Sequence, residues 1–296
     1  MNDANVDYEC LVCLLNHSNE LMNQVKNKSK DAPKELFDGY KNMILQTFEK
    51  IDFSQTHYEL KKTFYDVFFE IFGEEDYFNN HKTDLNQRFL EIYEDLLDFC
   101  FSYQDPLYAA NKLSIMGELL CQNSNNFFGE LEIQIKSFFN SKKIILDDIE
   151  ELKKELGKSR FLLFIHNYAG EIVFDKVFIR VIKEFYPDII IHSALKSKPI
   201  YISATKKDAE EIFLKEVSLP FESGSKYLGT SLNDTFLSFQ NIYNEADLVI
   251  AKGQSNFQSL MNENGKKPVY FSFVTKCQKV SSFLNVNRGD LVFKKF

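Results

Sequence analysis

Two short segments carry the residue types most able to do chemistry. In the first, the apolar run FLLFI (161–165) stops at His166 and Asn167 and continues to Gly170 and Glu171. In the second, DLVIA (247–251) stops at Lys252, Gly253 and Asn256. An imidazole, an amide and a carboxylate at one strand end are types that bind metals and handle protons. A lysine beside open backbone N–H groups suits a phosphate. Each residue also has a plainer reading. His166 is either a metal ligand in a site converted to imidazole, which favours Zn²⁺, Ni²⁺, Co²⁺ or Fe²⁺ over Mg²⁺, or a polar residue left at a strand end. Glu171 and Asp175 serve the site or are ordinary first-turn helix acids, and Asp208 binds metal or opens a helix. Lys252 grips an anion or is a surface lysine. His192 is read as a structural histidine.

A third candidate is the CxxC of Cys10 and Cys13; the other cysteines are Cys100, Cys121 and Cys277. One CxxC supplies two soft ligands where tetrahedral zinc takes four. The plain reading is two small buried hydrophobes on one helix face, with metal binding or redox chemistry as the other. The chain shows no Ser-His-Asp order, P-loop or dinucleotide glycine fingerprint.

Positioning these residues falls to two differently patterned stretches. Residues 1–156 read as successive helices, with apolar stripes at helical spacing over 8–25, 58–71, 89–100, 105–116 and 127–139. After Gly157, short apolar runs alternate with amphipathic stretches: strands over 161–165, 188–193, 199–203, 247–251, 268–273 and 291–293, with helices between them. The fold expected is α/β: a helical N-terminal region (1–156) packed on a C-terminal mixed or parallel sheet covered by helices (157–296), in one body. Residues 140–143 and 157–159 are the linker candidates. In such folds ligands bind at the carboxyl ends of the strands, where both segments lie.

The bulk numbers narrow the class. The chain has 296 residues, 44% of them hydrophobic, with 30 Phe, no Trp, 11 Gly and 6 Pro, which suits a helix-rich globular protein. The net charge of −8 and the lack of a basic stripe argue against nucleic acid. No signal peptide or membrane-length apolar run is read, so a cytoplasmic protein without membrane partners is expected. The sequence does not specify an oligomeric state.

Eight fragments in order resemble the damage-control phosphatases, the family also filed as domain of unknown function 89 and as the acidic-residue-methyltransferase-like metal-binding domain. They are CLVCLLN at Cys10, DPLYAANKLSIMGELL at Asp105, HNYAGEIVFD at His166, KPIYISATKKDA at Lys198, SGSKYLGT at Ser223, AKGQSNFQSL at Ala251, FVTKCQKV at Phe273 and NRGDLVF at Asn287. The likeness is greatest to the CxxC-containing branch. It implies a metal-dependent phosphatase acting on a small phosphorylated metabolite such as a sugar phosphate, with Mn²⁺, Co²⁺, Ni²⁺ or Mg²⁺ polarising the phosphoryl oxygen. It places Asn167, Glu171 and Lys252 in catalysis. It places Lys252, Gly253, Asn256 and Lys276 at the phosphate, and His166, Asn167 and Asp208 at the metal. The chain departs from the pattern where His166 and Ser203 replace expected Asp ligands, and where Glu118 and Cys121 replace an Asn and an Asp. The other reading is therefore an inactive member that binds a phosphorylated ligand or a protein partner, with no metal.

Overall fold

The apolar runs become strands because both of their faces are covered. In the computed structural model, which describes residues 6–122, 131–261, 263 and 267–296, seven strands form one mixed sheet. They are β1 (Ile144–Asp147), β2 (Phe161–Ile165), β3 (Ile190–Leu195), β4 (Leu219–Glu222), β5 (Leu248–Lys252), β6 (Val269–Val274) and β7 (Leu291–Lys295). In β2, Leu162 and Phe164 join one core, and Leu163 and Ile165 the other. In β5, Leu248 and Ile250 are divided in the same way from Val249 and Ala251. Side chains alternate across a strand, so a strand buried on both faces must be apolar at every position.

The strand order is β1-β7-β6-β5-β2-β3-β4, with neighbours parallel except β6 and β7. The chain leaves β2 for β3 and β4 on one side, then returns to β5 on the other. β2 and β5 thus flank the switch point where open sheets bind ligands. Their register pairs Ile165 with Ala251, so the next residues, His166 and Lys252, emerge side by side.

Thirteen helices lie among the described residues: α1 (Tyr8–Lys28), α2 (Lys34–Glu49), α3 (His57–Phe72), α4 (Asn79–Leu90), α5 (Tyr93–Phe101), α6 (Pro106–Gln122), α7 (Leu131–Ser141), α8 (Ile149–Leu156), α9 (Glu171–Phe185), α10 (Lys206–Glu211), α11 (Leu237–Glu245), α12 (Gln254–Leu260) and α13 (Gln278–Leu284). α9 buries every residue from Glu171 to Ile179, the mark of a helix enclosed on all sides. It packs against α4, α5 and α6 over one face of the sheet. Phe239, Phe257 and Val280 bring α11, α12 and α13 onto the other face. α1, α2 and α3 pack with Tyr168, Ile200 and Leu228 and roof the carboxyl edge of the sheet. No described helix is long and apolar enough to cross a membrane.

The structure departs from the expected layout in several places. β1 lies within the stretch expected to be only helical and pairs with β7, so the sheet draws strands from both sides of residue 157. Residues 199–203 form a turn, with Tyr168 and Ser203 making a single bridge, instead of a strand. β4 was not expected; its Pro220 is tolerated because β4 is an edge strand. α2, α4 and α8 lie within the stretch expected to be helical, at places where no stripe was read. The start of the stripe expected over 127–139 falls outside the described residues up to 130, and α7 covers the rest. His192 packs between Phe161 and Phe221 as a structural residue.

Candidate functional site

The strand ends of β2 and β5 meet over a buried cluster of charges. His166 Nδ1 is 2.8 Å from Asp175 Oδ2, with both side chains fully buried. α9 sets Glu171 and Asp175 one turn apart on one face, as i,i+4 spacing requires, and both turn to Lys252. Its Nζ stands 3.2 Å from Glu171 Oε1 and 3.3 Å from Asp175 Oδ1. It also donates to the Ser114 carbonyl at 2.6 Å and to Ser114 Oγ at 2.8 Å. Ser114 Oγ in turn donates to Asp175 Oδ1 at 2.7 Å. Asn167 Nδ2 donates to Glu171 Oε2 at 2.8 Å.

This environment moves the carboxyls in opposite directions. Burial raises the Glu171 carboxyl to about 8, outweighing the pull of Lys252. Burial also pushes Asp175 upward, but Lys252 and the hydrogen bond from His166 hold it below the usual carboxylate range. For Lys252, burial favours loss of the proton, while Asp175 and Glu171 more than restore it and keep the ammonium above the ordinary lysine range.

Two glycines permit this packing. Gly253 has φ +87°, and a Cβ there would lie 2.5 Å from Asn167 Cγ. Gly170, at φ +72°, would bring a Cβ within 2.8 Å of Leu85 Cβ and 2.9 Å of Cys121 Sγ. Its N–H donates to Asn86 Oδ1 at 2.7 Å, which fixes the start of α9.

Between this cluster and the helical roof is a cavity of about 200 Å³. Asn167, Tyr168, Gln254, Ser255 and Lys276 line it from the sheet side, and Glu118 from α6; Cys10, Cys13, His17, His57 and Lys61 line it from the roof. Lys276 Nζ pairs with Glu118 Oε1 at 2.6 Å, while Glu118 Oε2 accepts from the Val274 N–H at 3.1 Å. Lys61 Nζ donates to Ser255 Oγ at 2.9 Å, and no carboxylate pairs with it among the described residues. Burial lowers the Lys61 ammonium to about 8 and holds the His57 imidazole well below its ordinary range.

The structure thus brings His166, Asn167, Glu171, Lys252 and Gly253 together and sets Lys276 on the cavity wall. Lys252, Asn256 and Asp208, expected at the site, lie off the cavity wall. Lys252 is fully buried, spent on carboxylates and Ser114, and is not on the cavity wall, so in this arrangement it does not reach a phosphate. Asn256 accepts from Thr230 Oγ1 at 2.8 Å and donates to the Lys252 carbonyl at 2.7 Å; it braces the strand end and does not line the cavity. Asp208 serves elsewhere as a clamp between α10 and α4. Its Oδ2 caps α10 through the Thr205 N–H (2.8 Å) and Oγ1 (2.6 Å) and pairs with Lys82 at 2.8 Å, and its Oδ1 accepts from Asn86 at 3.1 Å. Sequence reasoning missed Lys61, which sits in an ordinary amphipathic helix, and Ser114, which sits in an apolar stripe; neither carries a local signal.

A model of the Damage-control phosphatase ARMT1-like domain matches residues 6–292. The chain belongs to the damage-control phosphatase ARMT1-like family. It is 25% identical to Damage-control phosphatase PH1575 of Pyrococcus horikoshii over 97% of this chain and 96% of that one. It is 26% identical to a Damage-control phosphatase of Archaeoglobus fulgidus over 76% of this chain and 78% of that one. An uncharacterized protein of Methanocaldococcus jannaschii, MJ0202, is 34% identical over 64% of this chain, a match that spans 58% of that relative's length. The crystal structure of the DUF89 family protein PH1575 shares the fold, with a TM-score of 0.84 at 22% identity, covering 98% of this chain and 99% of that one.

The divalent cation implied by the family resemblance fits this member's donor set poorly. Two of the expected carboxylates are His166 and Ser203, and Asp208 is committed to α4. The remaining acids, Glu118, Glu171 and Asp175, each face an ammonium. Among the described residues, no group of three His, Cys, Asp or Glu side chains is placed to hold a metal. His166 Nε2 and Ser203 Oγ are buried without a hydrogen-bond partner, but neither brings negative charge to an ion that relies on carboxylates.

Both cysteines of the CxxC face the cavity with Cys277. Cys10 is buried, whereas Cys13 is exposed rather than buried as expected, and all five thiols are free. Burial pushes the Cys10 thiol up to about 11 and the Cys100 thiol up to about 12. Limited alkylation with iodoacetamide, read by mass spectrometry, should therefore modify Cys13 first and leave Cys10, Cys100 and Cys121 unmodified in the folded protein. Early modification of Cys100 would contradict this arrangement.

Proposed function

We propose that this phosphatase-family protein takes a small phosphorylated metabolite, of the sugar phosphate class, in the cavity beneath α1 and α3. The observation that carries the reading is Lys61, a half-buried lysine that faces the cavity with a serine hydroxyl as its hydrogen-bond partner and no acid paired to it among the described residues. Drawing an ammonium partly out of water without a counter-charge is costly, and an anionic ligand would relieve that cost. Lys276 stands on the opposite wall, and Ser255 and Asn167 offer further donors. The cavity of about 200 Å³ is below the roughly 300–1,000 Å³ common for drug-sized ligands, which favours a compact ester. The buried carboxylates leave little opening for a hard metal to act on the ester.

Isothermal calorimetry with ribose 5-phosphate tests the reading, with saturable one-to-one binding as the expected result. No heat from ribose 5-phosphate, or from any other sugar phosphate in a panel, would sink it.

A pH dependence follows from Lys61. Its folded value of about 8 lies below the ordinary lysine value of 10.5. The charged form is therefore penalised in the folded protein at neutral pH, and the penalty fades as pH rises from about 8 toward 10.5. Binding of an anion has the opposite sign, because it needs the ammonium. Sulfate keeps its charge across this range, and its affinity should be highest below about pH 8 and fall above it. Calorimetry between pH 6.5 and 9.5, a span of about three units, would show a flat profile if Lys61 were not involved.

A further inference from the structure

The preceding proposal on ligand class underlies this one, which concerns the cation of the site. The two carboxylates absent at His166 and Ser203 amount to two negative charges, the number that a divalent ion would balance. The carboxyls that remain already face cations. Glu118 meets Lys276 at 2.6 Å. Glu171 and Asp175 share Lys252, at 3.2 and 3.3 Å. The second oxygen of Asp175 is held by His166 at 2.8 Å. Lys252 Nζ is locked in place by both oxygens of Ser114, and its side chain is 0% exposed. An ammonium fixed to the end of β5 thus sits against the carboxyls that hold His166 and Asn167. A divalent ion brought there would meet a buried like charge a few ångströms away, and no acid is left over to attract it. The phosphate side is separate: Lys61 and Lys276 line the cavity and Lys252 does not.

We propose that the buried cation of this site is Lys252 Nζ and that the protein binds its phosphorylated ligand without a divalent metal. The metal alone is the primary probe. The full-length protein, stripped with EDTA and dialysed, is titrated with Mn²⁺, Co²⁺, Ni²⁺ and Zn²⁺, and no saturable binding is expected. Ribose 5-phosphate should then bind with the same affinity whether EDTA or one of these ions is present. A His166→Asp/Ser203→Asp double variant, which restores two carboxylates, should gain saturable Mn²⁺ binding. One-to-one binding of any of these ions by the unmodified protein, including Co²⁺, Ni²⁺ or Zn²⁺ on His166 Nε2, overturns the proposal. So does a gain of about tenfold or more in ribose 5-phosphate affinity on adding metal, or metal-dependent release of inorganic phosphate from that ester. If the double variant fails to fold, the titrations of the unmodified protein still decide. Failure of the ligand-class reading looks different: no sugar phosphate binds under any condition, while the metal titration still gives its own answer.

Discussion

Replacing Lys61 with glutamine is expected to weaken ribose 5-phosphate binding by about 10- to 100-fold, the loss of one charge-assisted hydrogen bond worth about 1.5–3 kcal/mol. Glutamine keeps a donor that can reach Ser255 but removes the charge. Stability at neutral pH should hold or rise, because burial penalises this ammonium in the unliganded protein. The pair of measurements is the test: calorimetry should show the affinity loss while the urea midpoint stays level or increases. A variant that binds as tightly as the parent would remove Lys61 from the site. A Lys276→Gln variant should behave differently. Lys276 pairs with Glu118, which is 1% exposed, so removing the lysine leaves a buried carboxylate unmatched and should lower stability along with binding.

The second large effect is expected at Gly253. Its backbone, at φ +87° and ψ 144°, lies in a region essentially reserved for glycine. A Cβ there would also stand 2.5 Å from Asn167 Cγ and 2.7 Å from its amide nitrogen. Gly253→Ala should therefore cost about 3 kcal/mol or more in urea unfolding, with strain and overlap acting together. It should also weaken ligand binding, because Asn167 must leave its place over the strand end. Gly39→Ala is the control. Gly39 lies inside α2 with nothing within 4 Å of the added methyl, so that change should stabilise by about 0.5–1 kcal/mol. Equal effects at the two positions would mean that Gly253 does not have this conformation.

Much of the architecture could be read from local pattern, for a physical reason visible in β2 and β5. Both are buried on both faces, so every residue up to Ile165 and Ala251 is apolar and the run ends sharply where the chain meets the polar edge. α9 was equally legible, since its apolar residues recur at helical spacing behind Glu171. The edges were not. β1 and β4 lie at opposite ends of the strand order and are four residues each, with exposed positions in both. An edge strand needs neither a continuous apolar run nor a full set of backbone donors, so its sequence carries little signal.

The site divides along the same line. The sequence by itself determined the family, the two strand ends that meet, and the positions of His166 and Ser203 where carboxylates were expected. These are properties of single positions or short runs, and they survive without knowledge of the fold. The tertiary structure alone decided which way each charge turns. Lys252 looked like the phosphate lysine until α6 and α9 surrounded it with Ser114, Glu171 and Asp175. Asp208 looked like a ligand until α4 brought Lys82 and Asn86 against it. Lys61 showed nothing in its own helix and became a cavity cation with no carboxylate partner among the described residues only when α3 was laid over Ser255, 194 residues away in the chain. A side chain's charge is written in the sequence, but its partners come from elements far apart along the chain, and at a buried site the partners decide what the charge can do.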